Sequence, residues 1–196
     1  MESRPRKIYT RRGDEGQTQL LSKETVHKGD KRVRAFGTLD ELQSHLGLVR
    51  ALTCQESIRS ILYYVQEDIF VASSELASTS NALSYLKRRI SKSNTEKLEG
   101  WIDKFTTLYG LPKGFVVPGK YLDSSALHVA RSVCRRAERL IVILDREEKV
   151  YGDLIRYFNR LGDLLFVLAW SLEVNALIED IVREVIESAI KEGKTT

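Results

Sequence analysis

Apolar residues recur at helical spacing through most of the chain. Leu39, Leu42, Leu46 and Val49 predict a helix over Val33–Thr53, and Ile58, Ile61, Leu62, Val65, Ile69, Ala72 and Leu76 a second over Glu56–Ser78. Ser80–Lys92 predicts no more than a short helical turn before a basic loop. Ser93 followed by Glu96 reads as a capping box opening a third helix that runs to Tyr109. Pro112, Gly114, Pro118 and Gly119 then interrupt the pattern, so Gly110–Asp123 is read as loop with one strand-like piece at Phe115–Val117. A Ser124 or Ser125 cap opens a fourth helix, Ala126–Leu144, whose apolar stripe is Val129, Val133, Ala137, Leu140 and Leu144. The fifth begins near Tyr151 and reaches about Lys191, with or without a break. Ahead of these, Gly13, Gly16 and Gly29 with Asp14, Ser22 and Asp30 predict an irregular segment. The expected fold class is all-α: a five-helix bundle with ferritin-like up-down packing, one domain over 1–196 with an irregular segment 1–33 and a bundle over 34–191.

Composition narrows the picture modestly. A chain of 196 residues with 42% hydrophobic and 30% charged residues can bury one full-sized core. The N-terminal run MESRPRKIYTRRGDEG is polar throughout, unlike a signal peptide, and the longest apolar stretch, Leu164–Trp170, is far short of the roughly 20 residues a bilayer needs. A cytoplasmic protein with no membrane partner is expected. Cys54 and Cys134 have no partner at zinc spacing and read as free thiols. The net charge of +4 permits an anionic ligand, but acidic and basic residues are interspersed, so nucleic acid is not called for.

Three places go beyond what folding requires. Arg131, Arg135 and Arg139 lie four residues apart on one helical face, with Arg136 adjacent and Glu138 as the carboxylate among them. Such a row is either a solvated face with intrahelical ion pairs or a polyanion site, where guanidinium groups hold phosphate oxygens in pairs. Asn159, Arg160 and Asp163 precede the all-apolar run LLFVLAW. Asn159 and Asp163 are polar groups at the mouth of a buried helix, met either by an Asp–Arg pair or by a metal–phosphate complex. Thr10, Arg11, Arg12, Gly13 and Gly16 form a short loop whose amides suit phosphate, although no GxxxxGK[ST] occurs. Lys28 is a further candidate phosphate contact.

The blocks IYTRRGDEGQTQL (Ile8–Leu20), AFGTLDEL (Ala35–Leu42), SSALHVARSVCRRAER (Ser124–Arg139) and YFNRLGDLLFVLAW (Tyr157–Trp170) resemble, in order and spacing, the signatures of the PduO-type ATP:cob(I)alamin adenosyltransferases. The resemblance implies a homotrimer of five-helix bundles with active sites at subunit interfaces. It implies transfer of the 5′-deoxyadenosyl group of ATP to the cobalt of reduced cobalamin, with release of triphosphate. ATP contacts carried over by position are Thr10, Arg11, Arg12, Gly13, Thr18, Gln19, Lys28, Arg135, Arg136, Ala137, Glu138, Arg139 and Asn159, with Asn159 near Mg2+. Asp40 matches the aspartate that pairs across the interface with the arginine at Arg131, and Phe115 the aromatic that displaces the lower axial ligand. Arg135, Arg136, Asp40, Arg131 and Phe115 are thus the expected catalytic set, and Phe115, His128 and Asp163 the expected corrinoid-facing one. A reductase and an adenosylcobalamin-dependent enzyme are the implied partners. The chain departs from the family pattern at Arg12, Glu15, Gln19 and Leu21–Glu24. Those departures keep open a second reading, a non-catalytic ATP- and corrinoid-binding chaperone or sensor.

Overall fold

Five helices carry the expected stripes to a common core. They are α1 (Lys31–Leu52), α2 (Glu56–Leu76), α3 (Lys92–Tyr109), α4 (Leu122–Glu148) and α5 (Gly152–Gly193), with a 3-10 turn at Ser80–Tyr85. The computed structural model describes residues 8, 9 and 11–193, so the expectation for Thr10 falls outside it. α4 packs against α5 and α1, α5 also against α3, and α1 also against α2. Leu39, Leu42, Leu46 and Val49 of α1 and Ile58, Leu62, Val65, Ile69, Ala72 and Leu76 of α2 are all fully buried.

The irregular first segment needs correction. It holds a two-stranded antiparallel hairpin, β1 (Gln17–Gln19) and β2 (Thr25–His27), with Thr18 opposite Val26. Thr18 and Val26 are half-buried between exposed neighbours, a period-two pattern too short to stand out from turn residues. The hairpin docks on the end of α2, where Leu21 N donates to Ala77 O at 2.8 Å and Thr79 N to Ser22 Oγ at 3.1 Å. No strand forms at Phe115–Val117.

Helix ends shift where tertiary contacts choose the cap. Asp30 accepts from Arg32 N at 2.8 Å and starts α1 early. α3 opens at Ser91 rather than Ser93, because Asn94 both accepts from Ser91 N (3.1 Å) and donates to Asp68 of α2 (3.0 Å). The Ser124 and Ser125 hydroxyls donate back to Tyr121 O instead of capping amides, so α4 begins at Leu122. Its buried stripe runs through Leu127, Ala130, Val133, Cys134, Ala137, Ile141 and Leu144, while the expected Val129 is exposed. α5 is unbroken and about 63 Å long at 1.5 Å per residue. By length and composition α5 passes as a membrane span, but its segment from Leu154 to Leu172 packs into the bundle.

Polar groups inside the bundle are mostly tied. Arg32 is buried, donates to Ser78 O (2.7 Å) and Tyr151 Oη (2.6 Å) and pairs with Glu148, clamping α1 to the end of α2 and the start of α5. Glu75 accepts from Ile90 N (2.6 Å) and Arg89 Nε (2.9 Å). Asp68 is less well served. Its Oδ1 accepts from Asn94, while its Oδ2 and the Tyr157 hydroxyl face each other as the remaining buried polar atoms, without a well-formed hydrogen bond. Burial raises the Asp68 carboxyl above its ordinary range, and burial raises Glu75 in the same direction. A carboxyl raised in the folded state favours folding below that raised value, and the benefit is lost as pH rises through it. These two carboxyls therefore contribute a loss of stability as pH rises from the ordinary carboxylate range toward neutrality. Asp68→Asn, neutral at every pH, should melt higher than wild type at pH 7 and show a shallower decline in circular-dichroism melts. Equal slopes for the two proteins would show that Asp68 carries none of the cost.

Candidate functional site

The apolar run of α5 sets the register of the seam in which the polar residues sit. Leu164, Leu165, Val167, Leu168 and Ala169 are buried, and α4 lies antiparallel beside them. Cys134 Sγ meets Phe158 O at 3.5 Å, and Glu138 Oε1 accepts from Asn159 Nδ2 at 3.1 Å. Arg135 lies over Gly162, where an added Cβ would touch its Cγ at 3.7 Å. The Arg131 guanidinium sits 5.5 Å from the centre of the Phe166 ring, and His128 meets that ring edge-on at 6.1 Å.

The four arginines do not form one uniform face. Arg136 turns to α1 and pairs with Glu41, whereas Arg131 turns to the α5 side. Among the described residues no carboxylate pairs with Arg131, Arg135 or Arg139. Glu138, the one acid within the row, is engaged by Asn159 instead. That leaves a row of cations without internal neutralisation, which favours the polyanion alternative over a ladder of intrahelical pairs.

A cleft of about 910 Å³ opens beside this seam, lined by Phe115, Val116 and Pro118 of the loop before α4 and by His128, Arg131, Asp163 and Phe166 of α4 and α5. Phe115 is fully exposed, so an apolar side chain stands in water at the cleft wall. Sequence reasoning missed the part of the lining contributed by Glu99, Ile102, Asp103 and Thr106 of α3. These residues are unremarkable until α3 is placed against α5. Arg160 bridges the two helices, reaching Glu99 and Asp163 at 3.0 Å each. Asn159 and Asp163, expected at a buried mouth, are both exposed. Asp163 has taken the Asp–Arg alternative. His128 is buried with Nε2 unpartnered, and desolvation holds its imidazole below the ordinary value, hence neutral at pH 7.

A second cleft of about 650 Å³ belongs to the hairpin and is lined by Arg12, Gly13, Gln17, Thr18, Gln19, Thr25 and Lys28. Five of the expected ATP contacts thus share one hollow. The Lys28 ammonium passes close over Gly13, where a Cβ would lie 3.0 Å from Nζ. Arg11 has φ 61° and lies 5.6 Å from the Tyr9 ring centre. No hydrogen bond or ion pair links this hollow to the α4 arginines among the described residues, and Asp40 is exposed on α1 without meeting Arg131 in the same chain. The Glu138–Asn159 contact uses one carboxylate oxygen and the amide nitrogen, leaving the second carboxylate oxygen and the amide oxygen, both of the ligand type that magnesium takes.

Fold and site together define a helix-bundle protein that presents unneutralised guanidinium groups beside an aromatic-walled cleft. The chain belongs to the cobalamin adenosyltransferase family, whose pattern it matches over residues 8–172. It is 44% identical over 163 residues to a corrinoid adenosyltransferase of Citrobacter freundii, covering 83% of this chain and 93% of that one. It is 41% identical over 178 residues to the corrinoid adenosyltransferase PduO of Salmonella typhimurium, covering 91% of this chain but only 53% of the relative, so the chain spans about half of that protein. A variant of the PduO-type ATP:corrinoid adenosyltransferase from Lactobacillus reuteri, solved with cobalamin and ATP, superposes with a TM-score of 0.80 at 35% identity, covering 87% of this chain and 93% of that one.

Because Phe115 packs against nothing, Phe115→Ala should leave thermal stability within about 0.5 kcal/mol of wild type, the range of surface substitutions. A loss above about 2 kcal/mol in urea unfolding would mean that this side chain is part of the core.

Proposed function

We propose that the chain is an ATP:cob(I)alamin adenosyltransferase working at the α4–α5 seam. It transfers the 5′-deoxyadenosyl group of ATP to the cobalt of reduced cobalamin, giving adenosylcobalamin and triphosphate. The observation that carries the site assignment is the unneutralised Arg131, Arg135 and Arg139 row beside a cleft walled by exposed Phe115.

The chemistry asks little of a side-chain nucleophile. Cobalt(I) attacks the 5′ carbon, the carbon–oxygen bond breaks, and the electron pair leaves with the triphosphate. What the protein supplies is alignment of the two reactants and charge opposite the leaving group. Arg135, Arg136 and Arg139 take the triphosphate. Arg136 exchanges Glu41 for phosphate readily, since an exposed ion pair contributes only about 0–1 kcal/mol. Glu138 and Asn159 would hold Mg2+ against the phosphates, where the ion supplies further positive charge. Ala137, buried beneath Glu138, keeps that stretch of α4 close to the core.

The corrinoid occupies the larger cleft. Phe115 lies over its lower face and displaces the axial ligand, exchanging exposure for contact. Burying a phenylalanine stabilises by about 1.5–3 kcal/mol. Neutral His128 and Asp163 face the same ligand. The hairpin residues Arg11, Arg12, Gly13, Thr18, Gln19 and Lys28, together with Thr10, bind ATP from a neighbouring chain. Two observations support that arrangement: among the described residues no hydrogen bond or ion pair joins the hairpin hollow to the α4 row, and Asp40 and Arg131 do not meet within the chain. A homotrimer with interfacial sites satisfies both. Segment and bundle act as one catalytic unit in the cytoplasm, fed by a reductase and drained by an adenosylcobalamin-dependent enzyme.

Purified protein with ATP, Mg2+ and chemically reduced cobalamin should develop the absorbance of adenosylcobalamin. ATP and corrinoid binding without any conversion would instead support the chaperone or sensor reading. Arg135→Ala is expected to lower turnover about 10²- to 10³-fold with the bundle intact, the range for removing one charge-stabilising donor. Wild-type turnover in this variant would remove Arg135 from the site. Phe115→Ala should impair conversion from cob(II)alamin far more than from cobalamin already reduced to cobalt(I), and equal losses would sink the axial-ligand role.

A further inference from the structure

The family pattern ends at residue 172, where Leu172 is also the last buried residue of α5, although a PduO corrinoid adenosyltransferase of Citrobacter freundii aligns with 96% of this chain and so with the residues that follow. The helix nevertheless continues to Gly193, roughly 30 Å further at 1.5 Å per residue. Asn175 donates to Tyr109 Oη (3.1 Å) and Tyr121 Oη to Asp180 (2.7 Å), holding the first turns against the bundle. From Ile181 to Lys191 every residue is exposed. A lone helix of this length is marginal in water, and an uncovered apolar stripe on it marks an association surface.

The sequence of this extension is LIED IVRE VIES AIKE, two apolar residues then two polar ones in each group of four. Ile181, Val182, Val185 and Ile186 are each at least half exposed at its centre. A period of four matches neither a heptad seam nor the 3.6 of a straight stripe. It follows the i±4 ridge of a helix, which packs into the grooves of another helix at a crossing of about 50°. Reversing the segment about the point between Arg183 and Glu184 returns every apolar position to an apolar one. Leu177 exchanges with Ile190, Ile178 with Ala189, Ile181 with Ile186 and Val182 with Val185. A two-fold interface has this requirement, because one patch must complement itself.

Charge selects the antiparallel arrangement. The same reversal places Arg183 opposite Glu184 of the second copy, neither having an ion pair within its own chain among the described residues, and it sets Asp180, already held by Tyr121, against Glu187 as its one like-charge match. A parallel pair would set Arg183 on Arg183 and Glu179 on Glu179. Glu173, Glu179, Asp180, Glu184 and Glu187 outnumber Arg183 and Lys191, which disfavours an anionic membrane or nucleic acid as occupant.

We infer that the α5 extension is a two-fold docking element, pairing antiparallel with the extension of a second copy of this chain and doubling whatever assembly the bundle forms. Light scattering on the full chain over a range of concentrations tests this. Val182→Glu with Val185→Glu should halve the particle mass while the melting temperature of the bundle and the enzymatic rate are kept. Arg183→Glu should raise the dissociation constant about tenfold, and adding Glu184→Arg in the same chain should restore it. An unchanged mass, or a fall to one third, overturns the proposal. So does a wild-type chain of unpaired mass whose stripe binds a hydrophobic dye that the double variant does not, which would assign the surface to another partner.

Discussion

Everything in this protein hangs on the burial of one segment that has no polar side. Leu164, Leu165, Val167, Leu168 and Ala169 go inside, with Phe166 and Trp170 half-buried at the edge, and each large residue fully buried there contributes about 1.5–3 kcal/mol. The exposed ion pairs of the same region contribute about 0–1 kcal/mol each. Packing therefore decides how α4 and α5 lie, and the charges take the positions that packing leaves them. That order explains why Arg135 lies over a glycine and why Glu138 meets Asn159: both follow from the register that the apolar residues impose.

The helices were legible because their stripes are long and regular. Every apolar residue named for α1 and α2 is buried. What failed was decided locally by contacts that sequence spacing does not encode. Asn94 serves two helices at once and so moves a cap, and two serines bond backward rather than forward. The three-residue strands of the hairpin offer too few alternations to compete with the turn signals around them. In the site, the arginine row was visible as residues that folding does not need, whereas Phe115 was singled out only by the family resemblance. The α3 wall was not, since Glu99 and Asp103 look like any solvated helix face until Arg160 reaches across.

The charge distribution divides the molecule by task. Arg32, the most deeply buried cation, is saturated by a carbonyl, a hydroxyl and a carboxylate, and works as a structural clamp. Arg135 and Arg139 are the reverse case, held on an apolar scaffold with no ion pair among the described residues, while Arg131 rests on the Phe166 ring and Arg136 is taken by Glu41. A cation that is pre-positioned and unpaired loses little when an anion arrives. The hairpin follows a different plan, being attached to the end of α2 by backbone and hydroxyl contacts while its own cations face a shared hollow.

Gly13 gives that hollow an adjustable element. With no Cβ beneath it, the Lys28 chain can lie flat, and any side chain at position 13 would press on the ammonium from 3.0 Å away. A side chain at 13 would therefore push the exposed Lys28 ammonium aside from its place over the loop. Among relatives with different loop sequences, substitutions at 13 and 28 should change together, because volume at one is felt as displacement of charge at the other.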